Sequence, residues 1–371
     1  MSATSTIIVG AGPSGLAVAG CLKKLGHAHV LVDQADRVGS AWHNHYERLH
    51  LHTIRALSSL PHHSMPDDWP TYPSRAQVAT YLQGYADALG LEPRLNTRVI
   101  KASRAAGKWH VETDQGALVA DNLVAASGYN RVPNLPRWPG IESFAGPVVH
   151  SSAYKNGAHL SGKRVLVVGS GNSGAEIAVD LWEHGAQPAM SIRGPVHVVP
   201  RDLGGVPAQR VTLAMARFPA RVADALSKPL RKLLIGDLSR WGIATPALGP
   251  LELLEKHGRV PLIDVGTVAL IKQGSIVVYP DIRSFTADAV ELVDGRRVPV
   301  DAVVLATGYT AGLTRWIDGV EGVLNDRGLP FVHGAESGLG RLWFVGFRNP
   351  TTGALRESAI EARRVAKQIT R

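Results

Sequence analysis

Two glycine-rich segments with the same spacing occur in this chain of 371 residues. Residues 10–15 read GAGPSG, and residues 169–174 read GSGNSG. In such a motif the first glycine permits a tight turn, the second lets the backbone approach a pyrophosphate, and the third lets a helix pack closely on a strand. Two motifs predict two nucleotide cofactors, and therefore redox chemistry in which one cofactor passes electrons to the other.

The first motif lies between segments that predict a strand and a helix. Thr6–Val9 is a β-branched run typical of a buried parallel strand, and Leu16–Leu22 reads as a helix after the glycines. The next strand, His29–Val32, ends in Asp33, 18 residues after the third glycine. A carboxylate at about this spacing is typical of an acid that binds a ribose hydroxyl. The first site therefore favours an unphosphorylated adenosine ribose.

The second motif has the same flanks but the opposite charge. Lys163–Val168 predicts the strand, Ala175–Leu181 the helix, and Ala189–Ile192 the next strand, which ends in Arg193. A guanidinium at this position pairs with a 2′-phosphate, whereas a carboxylate would repel it. Arg201 follows as a second positive charge. The sequence thus predicts FAD at the first site and NADPH at the second.

Residues 144–154, FAGPVVHSSAY, match the FxGxxxHxxxY linker of flavin-dependent monooxygenases with two dinucleotide domains. The chain resembles the flavin-containing monooxygenase family and is most similar to its plant YUCCA branch and bacterial relatives. YERLHLHT, TYPSRAQVATYL, PVHVVPR, PLIDVGT, VVLATGY and LWFVGF carry this match between residues 46 and 347. Tyr154 stands where typical Baeyer–Villiger enzymes carry tryptophan, which argues against that subclass.

The resemblance implies a fold and a reaction. The fold is α/β, with two Rossmann-like dinucleotide-binding domains, the NADP domain inserted in the FAD domain, and a small helical insert. In the family NADPH reduces FAD, and O₂ then forms a C4a-(hydro)peroxyflavin that oxidises a small organic substrate. Indole-3-pyruvate, an aryl 2-oxo acid that would undergo oxidative decarboxylation, is the first substrate that the YUCCA resemblance implies. The alternatives are S- or N-oxygenation of soft nucleophiles, an NADPH oxidase that releases H₂O₂, and a flavin-bound sensor without turnover.

Candidate site residues follow from the motifs and from the resemblance. His52, at the place of a flavin-facing asparagine in relatives, and Asn172, at the mouth of the second glycine turn, are the catalytic candidates. Tyr72 and Arg75 are expected on the NADP side. The remaining cofactor-binding candidates are Gly10, Gly12, Pro13, Ser14, Gly15, Asp33, Gln34, Trp42, Val99, Ala126, Gly128, Gly169, Gly171, Ser173, Gly174, Arg193, Arg201, Thr307 and Gly308.

Several of these side chains also have a structural interpretation. His52 lies in a histidine-rich segment with His43, His45 and His50, and it could simply pack there. Alternation on a strand would place two of these histidines on one face, but no carboxylate or thiol with ligand spacing accompanies them, so no metal site is predicted. His150 in the linker motif is expected to couple the domains as a hinge or packing residue.

The domain boundaries are expected near residues 152 and 300. Residues 1–152 and 300–371 would form the FAD-binding domain, and 153–299 the NADP-binding domain. Within the latter, about 210–257, prolines punctuate apolar and basic residues in a pattern that favours short amphipathic helices. Three interpretations of this insert remain open: a lid over a substrate tunnel, a plain cover on the sheet, or a contact with a membrane surface.

Composition limits the partners. The net charge is +9, but basic residues are spread along the chain without a nucleic-acid motif, so no nucleic acid is expected. No apolar run reaches the roughly 18 residues of a membrane span, and no signal peptide is seen. Cys21 is the single cysteine, so a disulfide reductase, which needs a pair, is excluded. A cytoplasmic enzyme of undetermined oligomeric state, with O₂ and a small-molecule substrate as partners, is expected.

Overall fold

Strands and helices alternate through the computed structural model, which describes residues 4–371. The strands are β1 (Thr4–Val9), β2 (His29–Val32), β3 (Val99–Ala105), β4 (Lys108–Thr113), β5 (Gly116–Ala125), β6 (Val132–Pro133), β7 (Val148–His150), β8 (Arg164–Val168), β9 (Gln187–Ser191), β10 (Val198–Pro200), β11 (Asp202–Leu203), β12 (Val206–Pro207), β13 (Leu262–Asp264), β14 (Val277–Tyr279), β15 (Ile282–Phe285), β16 (Ala289–Leu292), β17 (Arg297–Pro299), β18 (Ala302–Leu305), β19 (Tyr309–Thr310) and β20 (Leu342–Phe344). The helices are α1 (Pro13–Lys24), α2 (Ser40–Asn44), α3 (Arg75–Ala88), α4 (Asn172–Glu183), α5 (Ala208–Met215), α6 (Ala220–Leu234), α7 (Pro250–His257), α8 (Thr267–Lys272) and α9 (Ala354–Ile369).

The first of two compact units comprises the chain up to His43, Thr53–Val132 and Tyr309–Arg371. Its main sheet has the order β2-β1-β5-β4-β3, and β20 also pairs with β5. β1 runs parallel to β2 and β5, as expected for strands that a crossover helix joins, whereas β4 is antiparallel to its neighbours. α1 packs against α9. The strand, glycine turn and helix predicted around the first motif are therefore confirmed.

The second unit comprises Asn44–His52 and Pro133–Gly308. Its five-stranded sheet, in the order β14-β9-β8-β18-β7, is parallel at every pairing. A core beneath it includes Val165, Val167, Ile177 and Met190. The second strand, glycine turn and helix are thus also confirmed, and the fold class is the predicted one.

The boundaries of the units differ from the expected 152 and 300. Residues 133–152 and 300–308 lie in the second unit because β7 and β18 hydrogen-bond into its parallel sheet. Asn44–His52 also lies there, since Tyr46 is buried in its core. A strand belongs to the unit whose sheet it joins, and the pairing of β7 with a strand more than 150 residues away is not visible in the local sequence.

Three helices, α5 to α7, occupy the stretch for which short helices were predicted. The N-terminus of α7 is capped by a side chain of α6: the Asp224 carboxylate accepts hydrogen bonds from the backbone N–H groups of Leu251 and Glu252 at 3.1 and 3.0 Å. Two elements of the insert are fixed to each other in this way. Across residues 4–371, every helix is too short or too polar to span a lipid bilayer.

Candidate functional site

The first glycine loop has the geometry of a phosphate cradle. Gly10 has a φ of +112°, and a Cβ added there would lie 2.6 Å from the carbonyl oxygen of Ala126. A Cβ on Gly15 would lie only 1.8 Å from the carbonyl oxygen of Gly10, so the helix approaches the strand as closely as a residue without a side chain permits. A Cβ on Gly12 would meet no protein atom within 4 Å. The open space in front of Gly12 lies at the N-terminus of α1, where backbone N–H groups attract an anion.

The second loop repeats this geometry. Gly169 has a φ of +127°, and a Cβ on it would lie 2.4 Å from the carbonyl oxygen of Ala306. A Cβ on Gly174 would lie 2.4 Å from the carbonyl oxygen of Gly169, and one on Gly171 would meet nothing within 4 Å. Gly171 is the N-cap of α4. Each unit therefore presents one open glycine between two tightly packed ones.

The acid at the end of β2 is tied to the first loop. One Asp33 oxygen accepts a hydrogen bond from the backbone N–H of Ala11 at 2.6 Å, and the other accepts one from Ala35 at 2.8 Å. Each carboxylate oxygen has a second lone pair, so these bonds orient the group and leave it able to accept from a ribose hydroxyl. Asp33 also interacts electrostatically with Arg131, whose pKa is lowered chiefly by burial.

The arginine expected to read a 2′-phosphate is exposed. Arg193 lies two residues beyond the end of β9. Arg201 is partly buried, and its Nε lies 3.3 Å from the carboxylate of Asp202, so its charge is partly matched within the protein. Of the two predicted cations, Arg193 is therefore the one more open to an anionic ligand.

Asn172, the first residue of α4, has a structural contact that its sequence position did not predict. Its Oδ1 accepts a hydrogen bond from the backbone N–H of Ile263 in β13 at 2.8 Å. The side chain thus joins the glycine loop to a neighbouring strand of the same unit. Its amide NH₂ retains donor capacity for a ligand, so the catalytic role of Asn172 stays a prediction.

His52 lies in the second unit and pairs with a buried carboxylate. Its Nε2 is 2.5 Å from Oε1 of Glu176 on α4, and the two side chains are 13% and 3% exposed. Because Nε2 donates to this carboxylate, Nδ1 is an acceptor in the neutral ring and donates only when the ring carries both protons. The catalytic role expected for His52 stays a prediction.

We expect the His52–Glu176 pair to stabilise the second unit. In a double-mutant cycle of His52→Ala, Glu176→Ala and the double variant, urea unfolding should give a coupling energy of about 1–3 kcal/mol, because each single variant leaves a buried polar group without its partner. The same cycle on Arg48 and Glu183, a more exposed pair at 2.9 Å, should give about 1 kcal/mol or less. Additive effects at His52 and Glu176 would contradict this expectation.

The other candidates of the first unit lie around its glycine loop and on α2 and α3. Pro13 begins α1, and Oγ of Ser14 lies 2.9 Å from Oγ of Ser358 on α9. Arg75 begins α3, where it donates to the carbonyl oxygen of His43 at 2.5 Å. The positions of the others are as follows: Gln34 exposed after β2, Trp42 half-buried on α2, Tyr72 half-buried, Val99 buried at the start of β3, and Ala126 and Gly128 in the turn after β5.

Those of the second unit lie in the first turn of α4 and in the segment after β18. Ser173 is half-buried in the first turn of α4. Thr307 donates through Oγ1 to the carbonyl oxygen of Asn134 at 2.6 Å, which fixes the turn that Gly308 continues. Tyr72 and Arg75 belong to the first unit, so their expected contact with NADP also stays a prediction.

Sequence reasoning missed three charged side chains that interact with residues of the motifs: Glu176 with His52, Asp180 with Tyr154 and Arg131 with Asp33. Glu176 and Asp180 are buried acids four residues apart on α4, and Asp180 accepts a hydrogen bond from the Tyr154 hydroxyl at 2.5 Å. Burial and this carboxylate raise the pKa of Tyr154. The signal was present: two acids recur at helical spacing among alanine, isoleucine, valine and leucine, which marks polar groups on a buried face. For Arg131 the sequence offered no comparable signal; the residue simply follows the turn after β5.

Comparison with known proteins places this geometry in context. A family model described as pyridine nucleotide-disulphide oxidoreductase matches residues 7–202. Indole-3-pyruvate monooxygenase YUCCA1 of Oryza sativa subsp. japonica is 39% identical over 98% of this chain and 90% of its own length. Indole-3-pyruvate monooxygenase YUCCA6 of Arabidopsis thaliana is 38% identical over 99% and 90%.

Solved structures share the fold. A flavin-containing monooxygenase from Stenotrophomonas maltophilia matches with a TM-score of 0.76 at 23% identity, over 100% of this chain and 99% of that one. Cyclohexanone monooxygenase from Rhodococcus sp. Phi1, solved with NADP⁺, matches with a TM-score of 0.75 at 20% identity, over 99% and 84%. The architecture of two dinucleotide-binding units is therefore shared well beyond the range of clear sequence similarity.

Proposed function

This chain belongs to the flavin-containing monooxygenase family, and from that premise we propose that it uses NADPH and O₂ to oxygenate a small organic substrate on FAD. The observation that carries the proposal is the pair of matching glycine loops, each with one open glycine, followed in one unit by Asp33 and in the other by Arg193. Two cradles of opposite charge preference fit two different dinucleotides.

The residues present fit both cofactors. In the first unit the open space before Gly12 would accept the pyrophosphate of FAD, with Asp33 on the adenosine ribose. In the second, Gly171 would admit the pyrophosphate of NADPH, and Arg193 would pair with the 2′-phosphate. When bound, these groups supply a hydride and an oxygen-activating ring, so the chain itself has only to bind, orient and exclude water.

Two hydrogen bonds within the second unit would position the catalytic candidates Asn172 and His52. Asn172 fixes the glycine loop to β13 through Oδ1, and its NH₂ group would be the donor available to a bound NADPH. Glu176 orients His52 through its Nε2, so Nδ1 would be the ring atom that forms a hydrogen bond with a ligand.

We propose an aryl 2-oxo acid, with indole-3-pyruvate first, as the substrate. The support is the naming of YUCCA relatives 36–39% identical to the chain as indole-3-pyruvate monooxygenases. The overall change balances as 2-oxo acid, O₂, NADPH and H⁺ giving the shortened acid, CO₂, NADP⁺ and H₂O. The bond between the carbonyl and carboxyl carbons breaks, and NADPH supplies the two electrons that reduce the second oxygen atom to water.

The test is product stoichiometry in the purified, FAD-loaded protein. With NADPH, O₂ and indole-3-pyruvate, we expect nearly one indole-3-acetate and one CO₂ for each NADPH consumed, with little H₂O₂. Sulfoxide or N-oxide formation from thioethers or amines, without product from the 2-oxo acid, would favour oxygenation of soft nucleophiles. H₂O₂ equal to NADPH whatever is added would make the protein an NADPH oxidase.

We expect His150→Ala to slow flavin reduction by NADPH about fivefold, the effect of losing a contribution of about 1 kcal/mol. His150 donates from Nε2 to the carbonyl oxygen of Gly308 at 3.1 Å and accepts at Nδ1 from the hydroxyl and N–H of Ser152. It therefore holds β7 to the turn after β18. Burial lowers its pKa, so the ring is neutral at pH 7.

Anaerobic stopped-flow absorbance measures the reduction rate directly. Ser152→Ala, which removes one partner of the ring but leaves the bond to Gly308, serves as the control and should change the rate less than twofold. A His150→Ala variant with unchanged reduction and unchanged coupling to product would show that the linker histidine has no part in handling NADPH.

We also propose a reducing cytoplasm as the location. The support is the single cysteine, Cys21, which is buried and cannot form a disulfide within the chain.

A further inference from the structure

Apolar side chains cover one exposed side of α6 and extend to Phe218, two residues before the helix begins. We call this set the leucine face: Phe218, Val222, Leu226, Leu230, Leu233 and Leu234, which are 46, 44, 60, 42, 80 and 40% exposed. A helix of a globular protein ordinarily turns its apolar stripe toward the core. In α6 the buried residues are instead Ala220, Ala223 and Asp224. Packing within the second unit therefore explains why the small residues are on the buried side of α6, but it does not explain the exposed leucines.

Basic side chains line one edge of this face. At 100° per residue, Val222, Leu226 and Leu233 share one side of the helix. Arg221, Lys228 and Lys232 fall together on the adjoining side, and all three are exposed. We call these three the basic stripe. The helix thus presents an apolar side next to a cationic side, both open to solvent.

The positive charge of this segment is poorly matched by its own acids. Asp224 is the single acidic residue between Ala208 and Gly236, and it is buried as the cap of α7. Within residues 4–371 the basic stripe forms one ion pair, between Arg221 and Glu252 of α7 at 2.9 Å, and Glu252 also pairs with Lys256. The charges of Lys228 and Lys232 are therefore exposed to solvent and accessible to a binding partner.

We propose that the leucine face and the basic stripe dock this protein on the surface of an anionic lipid bilayer. Leucines and a phenylalanine enter the boundary between headgroups and acyl chains, while lysines and arginines attract anionic headgroups. A second copy of the chain fits less well, because its matching segment carries the same positive charge and offers no exposed acid to pair with the basic stripe. The proposal does not depend on the proposed reaction.

Vesicle co-sedimentation of the intact, FAD-loaded protein tests it. The protein should sediment with phosphatidylglycerol-containing vesicles at low salt, release at high salt, and sediment little with pure phosphatidylcholine. No sedimentation with the anionic vesicles at low salt overturns the proposal. Equal binding to neutral vesicles overturns it too, because the basic stripe would then have no role.

Paired substitutions locate the surface. Leu226→Ser with Leu233→Ser, and separately Lys228→Glu with Lys232→Glu, should each lower vesicle binding at least about tenfold. Leu135→Ser with Phe331→Ser is the matched control, since those side chains are 61 and 65% exposed elsewhere, and it should leave binding unchanged. Unfolding midpoints should not change, because none of these side chains is buried. Light scattering that shows a dimer of the parent chain and a monomer of the leucine variant, without vesicle binding, would assign the face to a second copy.

Discussion

Replacing Gly171 with alanine is expected to raise the KM for NADPH at least about tenfold, a loss of about 1.4 kcal/mol or more in binding. The added methyl group meets no protein atom within 4 Å, and the φ of −80° at this position suits alanine, so the folded chain should tolerate the change. Only a ligand that fills the open space would clash with it. Steady-state kinetics and the free energy of unfolding without NADPH measure the two effects.

Two other glycines provide the comparison. In Gly174→Ala the new Cβ would lie 2.4 Å from the Gly169 carbonyl oxygen, so this variant should lose about 2 kcal/mol of stability as well as NADPH use. Gly84→Ala, in the interior of α3 with open space around it, should be slightly more stable and fully active. An unchanged KM in Gly171→Ala would mean that no phosphate approaches this backbone.

Arg193→Glu is expected to lower the preference for NADPH over NADH at least about a hundredfold. One charge-assisted pair with the 2′-phosphate contributes about 1.5–3 kcal/mol, and the new carboxylate adds repulsion of the phosphate while accepting from the hydroxyl of NADH. The ratio of kcat/KM for the two nucleotides measures the preference. Since Arg193 is exposed, the substitution should leave stability nearly unchanged.

A control separates this local effect from the change in net charge. Arg137 is an exposed residue of the same unit, and Arg137→Glu alters the net charge by the same amount. It should leave the nucleotide preference within about twofold, because salt weakens the interaction between exposed charges that do not contact each other. A preserved ratio in Arg193→Glu would move recognition of the 2′-phosphate to another residue, with Arg201 as the next to test.

The local parts of this fold could be read from the sequence. Each glycine motif, with a β-branched run before it and a helix after it, is encoded within about 30 consecutive residues, and both units have the predicted strand, turn and helix. The strand-end residues Asp33 and Arg193 were identified in the same way. Such features depend only on residues close together in the sequence, so the sequence alone is enough to predict them.

Features that depend on distant pairing were not visible. β18 joins β7 and β8 across more than 130 residues, which moved the boundary of the second unit from 300 to 308. His52 meets Glu176 across 124 residues, so the histidine was identified and its partner was not. For Asn172 the sequence predicted only a contact with a ligand. Its hydrogen bond to Ile263 could not be predicted, because it depends on the position of β13 in the folded unit.

The interrupted first unit has a consequence for the order in which the nascent chain folds. The second unit's parallel sheet is complete once β18 has been synthesised, whereas the first unit still lacks β20 and α9. Since α1 packs against α9, the part of α1 that contacts this helix remains uncovered on the ribosome until α9 has been synthesised. The inserted unit should therefore fold first, and the N-terminal segments are the part of the chain that most needs protection by chaperones.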